Sequence, residues 1–434
     1  MAFDRRETIL LILGDFCILA ASLWIALTLR NFALPSFGYF EENLVPFLPM
    51  FLISLVVFYI AGLYEKQTRP IRRVMGVRIF GAQVATVAIA AILFFALPLY
   101  IEPKTILVLY LIVSVIAVSM WRFYSMNREM NDENRVPAIL VGSGPAVLEL
   151  YDEVTKNDRY LIRFIKHIDA DGFSKLSIGT ARVLIVDTAA IAKNLSLVKG
   201  FATKGITVRD FASLYEEIFD RVPIDHLDTY QFLESVSKRH SFYDGAKRVF
   251  DLVFAIVGIC ISLPVIGIAA LALFIESGMP FFRIERIGKD GRIIHIVKLR
   301  SMLLNDHGDP ELQKKNRVTM LGKFLRKTRI DELPQLWNIL TGDLSFIGPR
   351  PEIPKIAEVY EREIPQYDMR HSITPGLSGW AQILDYDAPR GGADVGRTKR
   401  KLSFDLYYLK HRSFGLDLAI AIKTIRALLS FSGT

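Results

Sequence analysis

Four long apolar stretches occupy the first third of the chain and constrain its fold more than any other feature. Each is close to the roughly 20 residues that an α-helix needs to cross a bilayer. Hydrophobic residues make up 51% of the chain and the mean hydropathy is +0.31, which excludes an ordinary soluble protein of this size. The pattern predicts a bundle of four transmembrane helices, over residues 8–29, 44–64, 79–101 and 105–121.

Basic residues in the connections predict the orientation of this bundle. Arg5 and Arg6 precede the first stretch, and the second connection and the chain after the fourth stretch are also basic. The first connection instead carries Glu41 and Glu42. Because cytoplasmic loops are enriched in Lys and Arg, both ends of the bundle are expected in the cytoplasm. Asp15 lies inside the first stretch, where a carboxylate is a functional candidate, and a partner inside the bundle or a position near the interface is an equally good interpretation.

A fifth apolar run, over residues 252–275, differs from the others because Pro264 lies near its middle. A proline inside a helix removes a hydrogen bond and bends the helix. Basic residues flank the run on both sides, so a spanning helix would place one cluster on the wrong side of the membrane. These features predict a re-entrant membrane helix over 248–276, hinged at Ser262 and Pro264, with a plain fifth transmembrane helix as the alternative.

Residues 131–240 are less hydrophobic and alternate strand-like with helical segments. The first predicted strand, Val136 to Val141, leads into Gly142-Ser143-Gly144, which resembles the start of a dinucleotide-binding turn. Val147 replaces the third glycine of that motif. The alternation predicts a Rossmann-like α/β domain with a small parallel sheet. The incomplete motif favours a structural or regulatory role over nucleotide binding.

The excess positive charge lies in the last part of the chain. The formal net charge is +8, and residues 241–434 contain 28 Lys and Arg against 21 Asp and Glu. A basic region in a membrane protein suits anionic lipid, nucleic acid or a phosphorylated substrate, and charge alone does not choose among them. Cys17 and Cys260 both lie in apolar runs, so neither a disulfide framework nor a zinc site is supported.

Two adjacent carboxylates, Asp331 and Glu332, lie in the most informative segment of the chain. Thr328 with Asp331 three residues later resembles a helix start. Consecutive side chains on a helix point about 100° apart, so one carboxylate can attack phosphorus while the other holds a divalent cation. Arg350 lies between two prolines that fix its backbone, which suits it to phosphate oxygens. Without this context, an Asp-Glu pair is better explained as helix N-terminal residues.

A series of short motifs runs in order through the last 190 residues. They are Lys247-Arg248 with Asp251, Pro280-Phe281-Phe282-Arg283, Glu285-Arg286-Ile287-Gly288, Lys298-Leu299-Arg300-Ser301-Met302, the block from Arg326 to Pro351, Thr374-Pro375-Gly376 and Asp405-Leu406-Tyr407-Tyr408. This order resembles the bacterial sugar transferase family, the monotopic polyprenyl-phosphate phosphoglycosyl transferases. With the preceding segments, the chain resembles the large subgroup of that family.

The resemblance implies three domains. They are a four-helix transmembrane region over 1–130, a Rossmann-like α/β domain over 131–240 and an α/β-type catalytic phosphoglycosyl transferase domain with the re-entrant helix over 241–434. The catalytic domain is expected on the cytoplasmic face of the bacterial inner membrane. A homodimer is expected because the first two domains exceed what catalysis needs, and no nucleic-acid partner is expected.

The same resemblance implies transfer of a hexose 1-phosphate from a UDP-sugar to undecaprenyl phosphate in the bilayer. This reaction initiates exopolysaccharide, capsule or O-antigen synthesis. Asp331 would attack the β-phosphate, UMP would leave, and polyprenyl phosphate would accept the sugar phosphate from a phospho-Asp331 intermediate. Glu332 would bind Mg²⁺. Two alternatives are a membrane glycosyltransferase that releases UDP and a non-catalytic membrane scaffold, and the sequence does not identify the sugar.

Four cations are implied to bind the substrates. Arg350 would hold phosphate, Lys298 and Arg300 would line an anionic pocket, and Arg326 would contact the lipid phosphate or headgroup. For Lys298 and Arg300, solvated charges at a strand end are an equally good interpretation. The chain departs from the frequent family pattern at the hinge, where Leu263 precedes Pro264 in place of serine.

Overall fold

The computed structural model describes residues 2–61, 63–64, 79–89, 104–129, 135–157, 160, 162–176, 178–237, 241–302, 317–384 and 394–429. The chain divides into two compact units, Met1–Phe211 and Ala212–Thr434. The predicted domain boundaries near residues 130 and 240 stay predictions.

The first unit begins with apolar helices. Their bounds are α1 Ala2–Asn31, α2 Phe37–Ile60, α3 Ile79–Ile89 and α4 Lys104–Glu129. Helices α1, α2 and α4 contain segments long and apolar enough to cross a membrane. The second helix was predicted to begin at residue 44, but α2 begins at Phe37. Ser36 caps it, since the serine hydroxyl accepts a hydrogen bond from the Tyr39 amide at 3.4 Å. Residues 90–101 of the predicted third helix lie outside the described residues.

Buried aliphatic and aromatic side chains hold this bundle together. Leu19, Leu23 and Leu27 of α1 pack in one cluster with Phe47 of α2 and Tyr110 of α4. The Phe47 and Tyr110 rings meet edge to face with centroids 5.8 Å apart. Large rings bury much apolar area and prefer such geometry, so they fix how the helices pack.

Asp15 is paired within the bundle, which was one of the alternatives predicted for it. Its carboxylate forms an ion pair with Arg122 of α4 and accepts a hydrogen bond from the Tyr64 hydroxyl at 2.7 Å. Arg122 also donates to the Leu63 carbonyl at 2.9 Å. Both charged side chains are buried, so each supplies the partner that a desolvated charge needs.

A four-stranded parallel sheet follows in the same unit, as predicted. The strand order is β2-β1-β3-β4. Gly142 and Gly144 end the first strand, and Val147 is buried against Gly142. Assignment of this sheet to a Rossmann-like domain stays a prediction. The bounds are β1 Val136–Val141, α5 Pro145–Lys156, β2 Ile162–Ile168, β3 Val183–Val186, α6 Thr188–Lys193, α7 Leu195–Thr203 and β4 Thr207–Asp210.

The second unit combines helices with two small two-stranded sheets. Strands β5 and β6 are antiparallel, and β7 and β8 are parallel. The bounds are α8 Phe211–Phe219, α9 Thr229–Ser237, α10 Ser241–Ser277, β5 Phe281–Ile287, β6 Ile293–Leu299, α11 Met320–Thr328, α12 Gln335–Thr341, β7 Ser345–Ile347, α13 Pro354–Glu363, β8 Gly376–Ser378, α14 Trp380–Leu384, α15 Val395–His411 and α16 Phe414–Leu429.

Helix α10 contains the fifth apolar run. It is a single 37-residue helix with Pro264 inside it. Ala255, before the proline, packs against Leu336 of α12, while Leu273, after it, packs against Leu325 of α11. The Ser262 hydroxyl donates to the Ile259 carbonyl at 3.5 Å, not to the Cys260 carbonyl that the proline leaves without its donor. The predicted turn back to the same membrane face stays a prediction.

Candidate active site

The two adjacent carboxylates lie in a short turn between two helices. Helix α11 ends at Thr328, Arg329 adopts a left-handed conformation with φ 58°, and Ile330–Glu332 forms one turn of 3₁₀-helix. The predicted helix start at Thr328 is therefore wrong. The Thr328 hydroxyl donates to the Phe324 carbonyl at 2.8 Å, which closes the last turn of α11. Successive side chains on a 3₁₀ turn point about 120° apart, so the two carboxylates still face different surroundings.

Asp331 is a buried carboxylate with an oxygen that the protein leaves unbonded. The side chain is 9% exposed, and Oδ1 has no hydrogen-bond partner within the described part of the chain. Burial, and next the charge of Glu332, raise the pKa of Asp331 above its ordinary value. The charges of Lys298, Arg326 and Arg329 oppose this rise. A buried carboxylate oxygen that the protein leaves unbonded is suited to bind or attack an electrophilic ligand.

Glu332, by contrast, is surrounded by cations. Its carboxylate lies 2.9 Å from Lys298 Nζ, 3.7 Å from Arg329 Nη1 and 4.0 Å from Arg350 Nη2. Burial raises the pKa of Glu332, but Lys298 and Arg350 outweigh it and hold the pKa below its ordinary value. Two neighbouring carboxylates whose pKa values move in opposite directions are typical of sites that give them different tasks.

The structure brings five of the six predicted site residues together. Lys298, Glu332 and Arg350 are in direct contact, and the charge of Arg326 acts on Asp331 beside them. Arg326 Nε also donates to the Ser301 hydroxyl at 2.8 Å, which ties α11 to the end of β6.

For Arg300, the sixth predicted residue, the structure shows a different contact. Its Nε donates to the carbonyl of Met302 at 3.1 Å. The guanidinium is thus held along its own strand end, and a role for Arg300 in the anionic pocket stays a prediction.

Arg350 is presented by a tightly packed turn. The β7–β8 pairing brings the backbone of Gly348 against that of Gly376, where an added Cβ would collide with main-chain atoms. Pro349 and Pro351 fix φ on either side of Arg350. The guanidinium is 44% exposed, so it reaches solvent as well as Glu332.

A buried ion pair that sequence reasoning missed contacts the backbone of the turn that carries Arg350. Arg370 Nη2 donates to the Arg350 carbonyl at 2.9 Å. The same guanidinium lies 2.7 Å from Asp405 Oδ2 and donates to the Tyr367 hydroxyl at 2.9 Å. Asp405 belongs to a quoted motif, but its partner is 35 residues away, and one sequence carries no signal of that pairing.

Asn338 is a second residue that sequence reasoning missed. Its side chain accepts from the Val297 amide at 3.0 Å and donates to the His295 carbonyl at 2.8 Å. It therefore fixes α12 against β6, the strand that carries Lys298. The signal was an amide inside the otherwise apolar segment of α12, because a buried amide needs partners.

A family model from known proteins matches a segment inside the second unit. The family model for bacterial sugar transferases matches residues 242–431. The UDP-N-acetylgalactosamine-undecaprenyl-phosphate N-acetylgalactosaminephosphotransferase of Aeromonas hydrophila is 40% identical over 232 residues, 52% of this chain and 53% of that protein. This chain thus spans about half the length of that relative.

Two further relatives carry a different sugar in their names. The UDP-glucose:undecaprenyl-phosphate glucose-1-phosphate transferase of Caulobacter vibrioides is 38% identical over 192 residues, 43% of this chain and 71% of that protein. The protein of the same name from Escherichia coli is 38% identical over 184 residues, 41% of this chain and 39% of that protein.

Proposed function

Because this chain belongs to the bacterial sugar transferase family, we propose that it transfers a hexose 1-phosphate from a UDP-sugar to undecaprenyl phosphate. The products are UMP and polyprenyl diphospho-sugar, and the reaction starts exopolysaccharide, capsule or O-antigen synthesis. The observation that carries this proposal is the contrast between two neighbours: Asp331 has a buried, unbonded oxygen, while Glu332 is surrounded by cations.

The residues support transfer in two steps. An oxygen of Asp331 attacks the β-phosphorus of the UDP-sugar, the bond from that phosphorus to the bridging oxygen breaks, and UMP leaves. A phosphate oxygen of the polyprenyl phosphate then attacks the same phosphorus and releases the Asp331 carboxylate. A covalent intermediate of this kind divides one transfer into two easier steps. Lys298 and Arg350 hold the phosphate oxygens, whose charge must be balanced throughout.

The carboxylate of Glu332 fits Mg²⁺, which would neutralise charge on a diphosphate when bound. Mg²⁺ in proteins commonly takes one or two carboxylates and completes its shell with water and substrate phosphates. Lys298 occupies Oε1 of Glu332 and Arg329 approaches Oε2 only to 3.7 Å, so Oε2 is the oxygen available to the metal. Among the described residues no group of three or more His, Cys, Asp or Glu is placed to hold a metal.

The proposal places the reaction at the cytoplasmic face of the bacterial inner membrane, with α10 as a re-entrant helix. Support comes from Ala255 and Leu273, which lie on opposite sides of Pro264 and yet both pack on the same unit. Large apolar side chains on the remaining surface of α10 are exposed, as a helix embedded in lipid requires. A homodimer stays a prediction.

Cysteine labelling tests this topology. In an otherwise cysteine-free chain, Lys289→Cys should react with an impermeant thiol reagent only in inside-out vesicles, because both ends of a re-entrant helix face the cytoplasm. Labelling only in right-side-out cells would show that α10 crosses the membrane.

The chemistry is tested on purified full-length protein in nanodiscs with a panel of UDP-sugars. We expect UMP release with at least one sugar, and protein-bound label from a UDP-sugar labelled at the β-phosphate. Asp331→Asn should lower UMP release by at least about 10³-fold, as loss of a nucleophile does. Asp290→Asn is the matched control, because Asp290 is exposed and its φ of 55° suits asparagine equally.

Two outcomes would contradict the mechanism. Release of UDP instead of UMP would show that the sugar moves without its phosphate. Full activity of Asp331→Asn would exclude the nucleophile role. An intact chain that releases no nucleotide with any sugar would leave the scaffold as the better explanation.

A further inference from the structure

Arg286 lies on the inner face of the β5–β6 sheet. In the antiparallel pairing, Arg286 is opposite Ile294 and Phe282 is opposite Lys298. Residues two apart on a strand share a face, so Arg286 and Lys298 project from the same side of the sheet. That side is the one from which Lys298 reaches Glu332. Arg286 thus belongs to the surface that carries the proposed active site.

The C-terminal end of β5 is also fixed to the segment that carries Arg350. The Ile287 amide donates to the Glu352 carbonyl at 3.0 Å, which places Arg286 within two residues of this attachment. The Glu352 carboxylate itself accepts from Lys401 at 2.9 Å and lies 3.9 Å from Arg370. Glu352, the acidic residue whose charge acts on Arg286, is therefore already paired with other cations.

Arg286 itself has no such partner. Within the described part of the chain, its guanidinium makes neither a hydrogen bond nor an ion pair, although the side chain is partly buried. Burial lowers the pKa of Arg286, the charge of Glu352 opposes this, and the nearby charge of Arg350 lowers it further. A partly buried guanidinium that has no hydrogen bond or ion pair of its own, and that lies within reach of the charge of a second arginine, is unfavourable unless an anion binds there.

We propose that Arg286 is a phosphate-binding residue that acts beside Arg350, on a non-bridging oxygen of a substrate phosphate. The proposal rests on the function proposed above and adds to it a cation that its mechanism does not use. The ligand chemistry is a phosphate group, either from the nucleotide diphosphate or from the polyprenyl phosphate. A planar guanidinium suits it because the fork of N–H groups matches two phosphate oxygens.

Arg283 provides a matched control on the same strand. It is the same residue type three positions earlier, but it is exposed and faces the opposite side of the sheet. Arg286→Gln and Arg283→Gln remove the same charge from the same element. They differ in the face from which the charge is lost and in the burial of that charge.

The test measures UDP binding by calorimetry on the full-length protein in nanodiscs without polyprenyl phosphate, then KM for each substrate. Arg286→Gln should weaken UDP binding by about 10- to 100-fold, the usual loss for a charge-assisted hydrogen bond. Arg283→Gln should stay within about two-fold of wild type, and Arg286→Lys should fall between. If UDP binding is unchanged but KM for polyprenyl phosphate rises by the same factor, the phosphate is that of the lipid.

Thermal unfolding separates binding from a structural role. An unpaired, partly buried cation does not stabilise the free protein, so Arg286→Gln should keep or raise Tm while phosphate binding is lost. A lower Tm with proportionate loss of both affinities would show a structural role and overturn the proposal, as would wild-type affinity for both substrates. If wild type releases no UMP, the proposed function fails, while the calorimetric comparison still decides the role of Arg286.

Discussion

Removing one member of the buried pair of Arg370 and Asp405 should be among the most destabilising single substitutions in the second unit. The two side chains are 2% and 1% exposed, and Asp405 Oδ2 lies 3.0 Å from Arg370 Nε and 2.7 Å from Nη2. Asp405→Asn keeps the shape and removes the charge, so Arg370 is left buried without its closest partner. Removing one member of such a pair costs about 3–5 kcal/mol.

The expected change is large enough for ordinary thermal unfolding. For a unit of this size, 1 kcal/mol corresponds to about 2–4 °C, so Asp405→Asn should lower Tm by roughly 6–20 °C. Arg370→Met with Asp405→Leu removes both charges and should recover part of the loss, because apolar replacement of a whole buried pair is far less costly. The recovery is partial, since the Arg350 carbonyl and the Tyr367 hydroxyl also lose their donor.

Unfolding is followed by intrinsic fluorescence of the full chain in nanodiscs, with Asp368→Asn as the control. Asp368 is exposed, and its substitution should change stability by no more than about 0.5 kcal/mol. The reasoning is refuted if Asp405→Asn shifts Tm no more than the control, or if the two single substitutions are simply additive in the double variant.

Two further predictions concern other buried charges. Burial, and then the charge of Arg370, lower the pKa of His371 from 6.5 to about 4, while the charge of Glu352 opposes this shift. Between pH 6.5 and pH 4 the unfolded chain therefore gains a proton on His371 that the folded protein does not. The free energy of unfolding of wild type should fall by about 3 kcal/mol through His371 as pH falls from 6.5 to 4. His371→Gln should remove this loss from the pH dependence of Tm, and equal pH profiles for the two proteins would contradict the prediction. Asp15→Asn should destabilise the bundle by about 3–5 kcal/mol, because it removes the carboxylate that pairs with Arg122. The loss is measured as a lower Tm and a lower folded yield, and adding Arg122→Met to this variant should restore part of both. A wild-type Tm for Asp15→Asn would contradict the prediction.

The elements that could be predicted from sequence are those with a strong local signal. Strand β1 was predicted with its observed bounds, because a short β-branched run is followed directly by glycine. Helix α2 was predicted seven residues late, because Glu41 and Glu42 interrupt the hydropathy near its start while the cap is a single serine. Hydropathy finds the apolar centre of a helix and not its ends.

The turn that carries the carboxylates shows a different limit. Helix α11 ends where Arg329 adopts a left-handed conformation, which usually requires glycine or asparagine. Nothing local marks an arginine for that role, so the Thr-x-x-Asp pattern was interpreted as the start of a helix. The local pair of Arg329 with Glu332 and the long-range hydrogen bond of Arg326 with Ser301 accompany this conformation.

Long-range pairs could not be predicted at all. Asn338 binds the backbone of β6 more than 40 residues earlier, and Arg370 binds Asp405 35 residues later. Each residue alone looks like an ordinary polar side chain. Their importance comes from burial, which leaves no water to replace a missing partner.

The separate tasks predicted for Asp331 and Glu332 have a physical basis that adjacency in the sequence does not supply. Lys298 from β6 and Arg350 from the turn after β7 both converge on Glu332, so this carboxylate carries most of the stabilising contacts. Asp331 is left buried beside a negative neighbour, with one oxygen unbonded. A nucleophile that the folded protein stabilises poorly gains more from bonding to phosphorus than one already neutralised by lysine and arginine. The proposed role of Asp331 as the attacking group therefore rests on where the cations lie.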